Sequence, residues 1–146
     1  MNRLGSALLA ASLLGPAANS DVPSGGDRAE IEAAIRHYFR AGDSGDPEEL
    51  KLAFHPASIM YGNRNGAFVG VDQAEWQGRL QKERAEGKPP TPASWRKILS
   101  VDIEGDVASA KMQSDFPTFQ FLDFVNLVKV NGTWKIVNKV YYRKPK

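Results

Sequence analysis

The stretch Phe119-Gln120-Phe121-Leu122-Asp123-Phe124-Val125-Asn126-Leu127-Val128-Lys129-Val130-Asn131-Gly132-Thr133-Trp134-Lys135-Ile136-Val137-Asn138-Lys139-Val140-Tyr141-Tyr142 decides the fold. An Asn-Gly pair between two alternating runs is the strongest short-range hairpin signal, because a type I′ turn needs positive φ at both central residues. The turn also predicts a register: Val130 opposite Thr133, Leu127 opposite Ile136, Val125 opposite Asn138 and Asp123 opposite Val140. One face of the hairpin then carries Phe119, Phe121, Val125, Leu127, Trp134, Ile136, Val140 and Tyr142, with Asp123 and Asn138 as diagonal neighbours among them. Two polar groups in a wall otherwise built for burial point to a pocket.

Working towards the N-terminus, the same alternation continues from Trp95 to Ile103 and from Asp106 to Ser114, separated by a turn at Glu104-Gly105. Further upstream the period changes. Asp27 with Glu30 forms a capping-box pattern ahead of Ile31, Ile35, Tyr38 and Phe39, an amphipathic helix ending near Gly42. Asp46-Pro47 starts a second helix of about two turns, which His55-Pro56 stops. Ser58 to Tyr61 and Ala67 to Val71 read as short strands around a polar turn. Asp72 and Glu75 then open a third helix with Trp76 and Leu80 on one face, and Gly87 closes it before the stiff connector Lys88-Pro89-Pro90-Thr91-Pro92. Helices followed by a long antiparallel meander define an α+β fold. Strands of this length must twist and curl, so three N-terminal helices on the concave side of a curved antiparallel sheet close a cone.

The chain has 146 residues, enough for one core, and contains no cysteine, which excludes disulfides, thiolate catalysis and cysteine metal sites. Residues 1–20 read as a secretory signal: Arg3 precedes the apolar run Leu4 to Leu14, Pro16 breaks it, and Ala18-Asn19-Ser20 supplies small residues for cleavage. The run is shorter than the roughly 20 residues of a spanning helix, so no stable membrane span is expected. Residues 21–146 are then a single exported domain, periplasmic or secreted. Its basic and acidic residues are interleaved, a pattern that argues against nucleic-acid binding.

The run Tyr38…Gly42-Asp43…Asp46…Leu50…Phe54-His55-Pro56, the segment Val101-Asp102-Ile103…Gly105-Asp106-Val107-Ala108…Ala110-Lys111, and the closing Trp134-Lys135-Ile136-Val137-Asn138-Lys139-Val140 resemble the putative lumazine-binding branch of the nuclear transport factor 2-like superfamily. The resemblance covers almost all of residues 21–146. It implies a cystatin-like curved sheet and three helices around a conical pocket. It also implies a range of roles, from cofactor-independent isomerases, dehydratases and cyclases to non-catalytic binders, so function has to be argued from the site.

Asp123 is the leading candidate for chemistry, since a carboxylate between Phe121 and Val125 on an apolar face is desolvated and suited to acid-base work; the structural alternative is a pairing with Asn138, a backbone N–H or a basic residue, or a place near a rim open to water. His55 is the second catalytic candidate, with a role tying the helix end to the first strand as its alternative. Tyr38 faces inward and can present its hydroxyl to the cavity, and Asn138 can both donate to and accept from a heterocycle. Met60, Trp76, Trp95, Phe119 and Phe121 are candidates to stack on a flat ligand, the alternative for each being ordinary core packing. No metal site and no cofactor are indicated, because the two histidines stand in different contexts and no phosphate loop occurs.

The opposite face of the hairpin carries Leu122, Phe124, Val128, Val137 and Tyr141 among Asn126, Lys135 and Lys139, too apolar for simple solvation, and so predicts a homodimer. Three classes of function follow. The favoured one is an exported, non-catalytic binder of a small apolar or flat heterocyclic molecule. The others are an isomerase, dehydratase or cyclase using Asp123 as general acid-base, and a structural or interaction module with a filled cone.

Overall fold

The computed structural model describes residues 25–146 apart from Asn65 and the side chain of Arg64, so the expected signal over residues 1–20 lies outside the described residues. Three helices, α1 (Gly25–Ser44), α2 (Pro47–Ala53) and α3 (Gln73–Ala85), alternate with and then give way to six strands, β1 (Phe54–Arg64), β2 (Ala67–Asp72), β3 (Trp95–Glu104), β4 (Val107–Asp115), β5 (Phe119–Val130) and β6 (Thr133–Pro145). The strands form one sheet in the order β2-β1-β6-β5-β4-β3. All neighbours are antiparallel except β1 and β6, which run parallel, so the sheet is the curved, mostly antiparallel one expected with one parallel pair. The parallel pair follows from the helical connection: β1 is laid down before the meander and is covered only when β6 returns beside it.

Two helix N-termini form as their sequences dictate. Asp46 caps α2 by accepting from the Glu48 N–H at 3.1 Å, with Pro47 in the first turn, and Asp72 caps α3 by accepting from the Glu75 N–H at 2.8 Å. The first helix starts earlier than its capping-box pattern implies, at Gly25, which places Asp27 inside the first turn. There Asp27 Oδ1 accepts from Lys129 Nζ at 2.7 Å and from Trp134 Nε1 at 2.9 Å, so the helix start is pinned to the β5–β6 hairpin. Ile31, Ala34, Ile35, Tyr38 and Ala41 form the buried stripe of α1 and meet Leu127, Trp134 and Ile136 from the sheet in one core. Among the described residues no helix is long and apolar enough to cross a membrane.

The hairpin turn forms as read, with φ of 49° at Asn131 and 77° at Gly132. The predicted register holds from Val130↔Thr133 to Leu127↔Ile136 and then slips, because the next pair is Asn126↔Asn138. Val137 is the extra residue of a β-bulge. Side chains alternate with period two, so one extra residue exchanges the faces of everything that follows it. Asn138, Val140 and Tyr142 therefore point away from the concave face, Val140 and Tyr142 being 47% and 59% exposed, and Lys139, Tyr141 and Arg143 point into it. Tyr141 and Lys139 thereby leave the outer face to which the unbroken register had assigned them.

Replacing Asp27 with alanine removes the shared acceptor and leaves a buried indole N–H without it; the expected cost is about 1–3 kcal/mol. The check is the urea midpoint of the purified variant followed by tryptophan fluorescence.

Candidate functional site

The concave face and the helices enclose a cavity of about 500 Å³, within the range of small-molecule sites. Tyr38 reaches it from α1, Trp76 and Arg79 from α3, Met60 and Asn63 from β1, and Val71 from β2. Arg96 comes from β3, Phe116 from the β4–β5 turn, Phe121 from β5, and Lys139, Tyr141 and Arg143 from β6. Space for the Tyr141 ring exists because its parallel-strand partner is Gly62: a Cβ there would lie 2.3 Å from the ring.

At the deep end stand Asp123, Tyr38 and Lys139. Asp123 is 1% exposed on β5, opposite Tyr141 and diagonal to Lys139. The Tyr38 hydroxyl donates to Asp123 Oδ2 at 2.7 Å, and Lys139 Nζ donates to the Tyr38 oxygen at 3.0 Å. Lys139 Nζ also faces Asp123 Oδ1 at 3.5 Å, an oxygen that accepts no hydrogen bond among the described residues. Three rings surround the ammonium, those of Tyr38, Trp76 and Tyr141, with centroids 4.9, 5.5 and 5.1 Å from it. Burial pushes the Lys139 amine below its ordinary value, against the pull of the Asp123 carboxylate, and Arg96 and Arg79 add to the lowering. Burial and the same carboxylate push the Tyr38 phenol well up, so it stays protonated.

The wall towards β3 is held by Arg96, whose guanidinium meets Asp43 at 2.7 Å, donates to Ser114 Oγ at 2.8 Å and lies over the Phe39 and Phe116 rings. Asp43 also accepts from the Ala93 N–H at 3.0 Å and Pro90 packs beside Gly45, tying the proline-rich connector to the end of α1. Arg143 lies on the Phe119 ring, 3.9 Å from its centroid. Among the described residues no carboxylate lines the cavity, whereas Arg79, Arg96, Lys139 and Arg143 all do.

Of the residues singled out in the sequence, Tyr38, Met60, Trp76 and Phe121 line the cavity, and Asp123 lies behind Tyr38 and Lys139. Phe119 packs on Phe116, Phe121 and Arg143 instead of lining it. Trp95 lies outside it, 37% exposed beneath Lys97. His55 Nδ1 accepts from the Ala57 N–H within a local turn, at the irregularity where β1 joins β6. Asn138, which the unbroken register sets beside Asp123, meets Asn126 and the Ile59 carbonyl on the other face, because of the bulge. The sequence reading missed Lys139, Tyr141, Arg143, Arg96 and Arg79. The one available signal was Lys139 itself, a lysine within a β-branched and aromatic run.

A cone of curved sheet and three helices around one basic and aromatic cavity is the nuclear transport factor 2-like architecture. The chain belongs to the family described as "Putative lumazine-binding", whose model matches residues 26–142. Similar solved structures include NTF2-like proteins of Shewanella baltica OS155, with TM-score 0.71 and 26% identity over 86% of this chain and 99% of that one, and of Methylobacillus flagellatus KT, with TM-score 0.69 and 28% identity over 85% and 97%. Cystatin-like folds from Nostoc punctiforme PCC 73102 share the fold at lower identity. Aldolase FrzH of a Cladobotryum species is 25% identical over 109 residues, 75% of this chain and 85% of that protein.

Replacing Asp123 alone with alanine strands the buried ammonium, and the expected loss is about 3–5 kcal/mol. The double substitution Asp123→Leu with Lys139→Met should recover most of it. Urea unfolding of the wild type, Asp123→Ala and the double variant makes the comparison, and a double variant no more stable than Asp123→Ala would overturn the expectation.

Proposed function

We propose that the protein is an exported binder of a small, planar, anionic molecule held in the cone. The observation that carries this reading is the convergence of four basic side chains on one aromatic cavity with no acid among the described residues of its lining. A flat heterocycle with an ionisable imide, of the kind the family description names, satisfies both features: its faces meet Trp76, Phe121 and Tyr141, and its charge meets Arg79 and Arg143 at the open side. Arg96 is already engaged by Asp43, so the two exposed arginines hold the free donors. The signal-like segment over residues 1–20 supports export, and fractionation of the native host tests it.

A second reading, carbonyl chemistry of the aldol type, is favoured by the likeness to the Cladobotryum aldolase together with the Tyr38–Asp123–Lys139 constellation. For assembly, Leu122, Phe124, Val128, Val140 and Tyr142 form an apolar outer face on β5 and β6, and we take a symmetric pair of chains to meet there.

Lumazine titrated into the purified domain should quench tryptophan fluorescence saturably, and Arg79→Gln and Arg143→Gln should each weaken it about fivefold, less at high salt. Native mass spectra of protein from its own host should release a small molecule. Absence of both would overturn the binding reading. Equilibrium sedimentation at micromolar concentration should give a dimer, and Phe124→Lys should give a monomer.

A further inference from the structure

Lysine is strongly hydrated and is normally left at the surface; here one is carried to the deep end of a ligand-sized cavity. The ion pair with Asp123, at 3.5 Å, is one part of the arrangement and does not explain why it opens onto a cavity. The nearer partner of Nζ is the Tyr38 oxygen, and the carboxylate oxygen facing it, Oδ1, accepts no hydrogen bond among the described residues. Three further cations, Arg79, Arg96 and Arg143, line the same space. The groups facing Nζ from the packed elements are thus Tyr38 on α1, Arg79 on α3, Arg96 on β3, Asp123 on β5 and Tyr141 on β6. An amine desolvated among rings and beside other cations is the environment that makes a lysine nucleophilic near neutral pH.

From this geometry we propose that Lys139 forms an imine with a small aldehyde or ketone, best one that also carries an acidic group for Arg79 and Arg143. The inference rests on the cavity being a small-molecule site, as proposed above.

The step balances without any further reagent. The Lys139 ammonium passes a proton to Asp123, directly to Oδ1 or through the Tyr38 hydroxyl to Oδ2. The freed lone pair on Nζ forms the C–N bond while the carbonyl π pair moves to oxygen, and a proton passes from nitrogen to that oxygen, giving a neutral carbinolamine. Asp123 then returns its proton to the hydroxyl group, which leaves as water as the nitrogen lone pair forms the C=N bond. The products are a protonated imine and water, with Asp123 again ionised. Tyr38 remains protonated at the start and end and acts as a relay.

The probe is 2,4-pentanedione, a 1,3-diketone that condenses with neutral lysine amines to a stable enaminone absorbing in the near ultraviolet. The intact wild-type domain, with ten lysines in its full sequence, is labelled near pH 7 and the modified lysine located by peptide mapping. Lys139 should be labelled about tenfold or more faster than any exposed lysine. Asp123→Asn, close in shape, should slow that labelling, and Lys139→Arg, which keeps the charge, should abolish the fast phase while circular dichroism reports an intact fold. Labelling spread over the exposed lysines with Lys139 unmodified would overturn the covalent step. If lumazine still titrates the same sample, the binding reading survives that result; if neither labelling at Lys139 nor titration occurs, both fall.

Discussion

The pairing of β5 with β6, broken once by the bulge at Val137, is the constraint on which the rest depends. Before the bulge the two strands offer Leu127, Trp134 and Ile136 to α1, and each such side chain contributes roughly 1.5–3 kcal/mol on burial. After it, the same strand offers Lys139, Tyr141 and Arg143 to open space. One strand thus serves as core at its start and as site lining at its end. Both halves face the same side only because an extra residue resets the alternation.

The closed part of the cone makes the open part possible. Asp27 fastens the first turn of α1 to Trp134 and Lys129, and the Tyr38, Phe54 and Trp76 rings meet edge to face where α1, β1 and α3 converge. Tyr38 is therefore held rigidly, and its hydroxyl is delivered to Asp123 without freedom to turn away. At the other wall Arg96 is locked by Asp43, Ser114 and two rings. A cavity between such supports keeps its polar groups oriented before any ligand enters, which is the condition for selective binding or for a directed proton transfer.

The electrostatic character of the cavity follows from where the acids lie. Asp43 and Asp123 both sit behind the basic groups they touch, so the surface shown to a ligand is basic although the whole chain is close to neutral. A buried lysine among three rings and two arginines is a costly feature for folding alone. Its placement at the cavity floor ties that cost to the site.

By itself the sequence determined the helices, the strands, their order and the Asn131-Gly132 turn, because caps, hydrophobic period and turn chemistry act over a few residues and can be read locally. Tyr38, Trp76 and Phe121, singled out in the sequence, lie in the cavity lining. Only the tertiary structure decided which residues join Asp123. Val137 carries no local mark of a bulge, being β-branched and suited to an ordinary strand position, and the slip arises where β6 must pair with β5 and with β1 at once. A single unpaired residue of this kind changes the face of all later ones, so Lys139 replaced Asn138 inside, and a cavity expected to be polar at two points became basic.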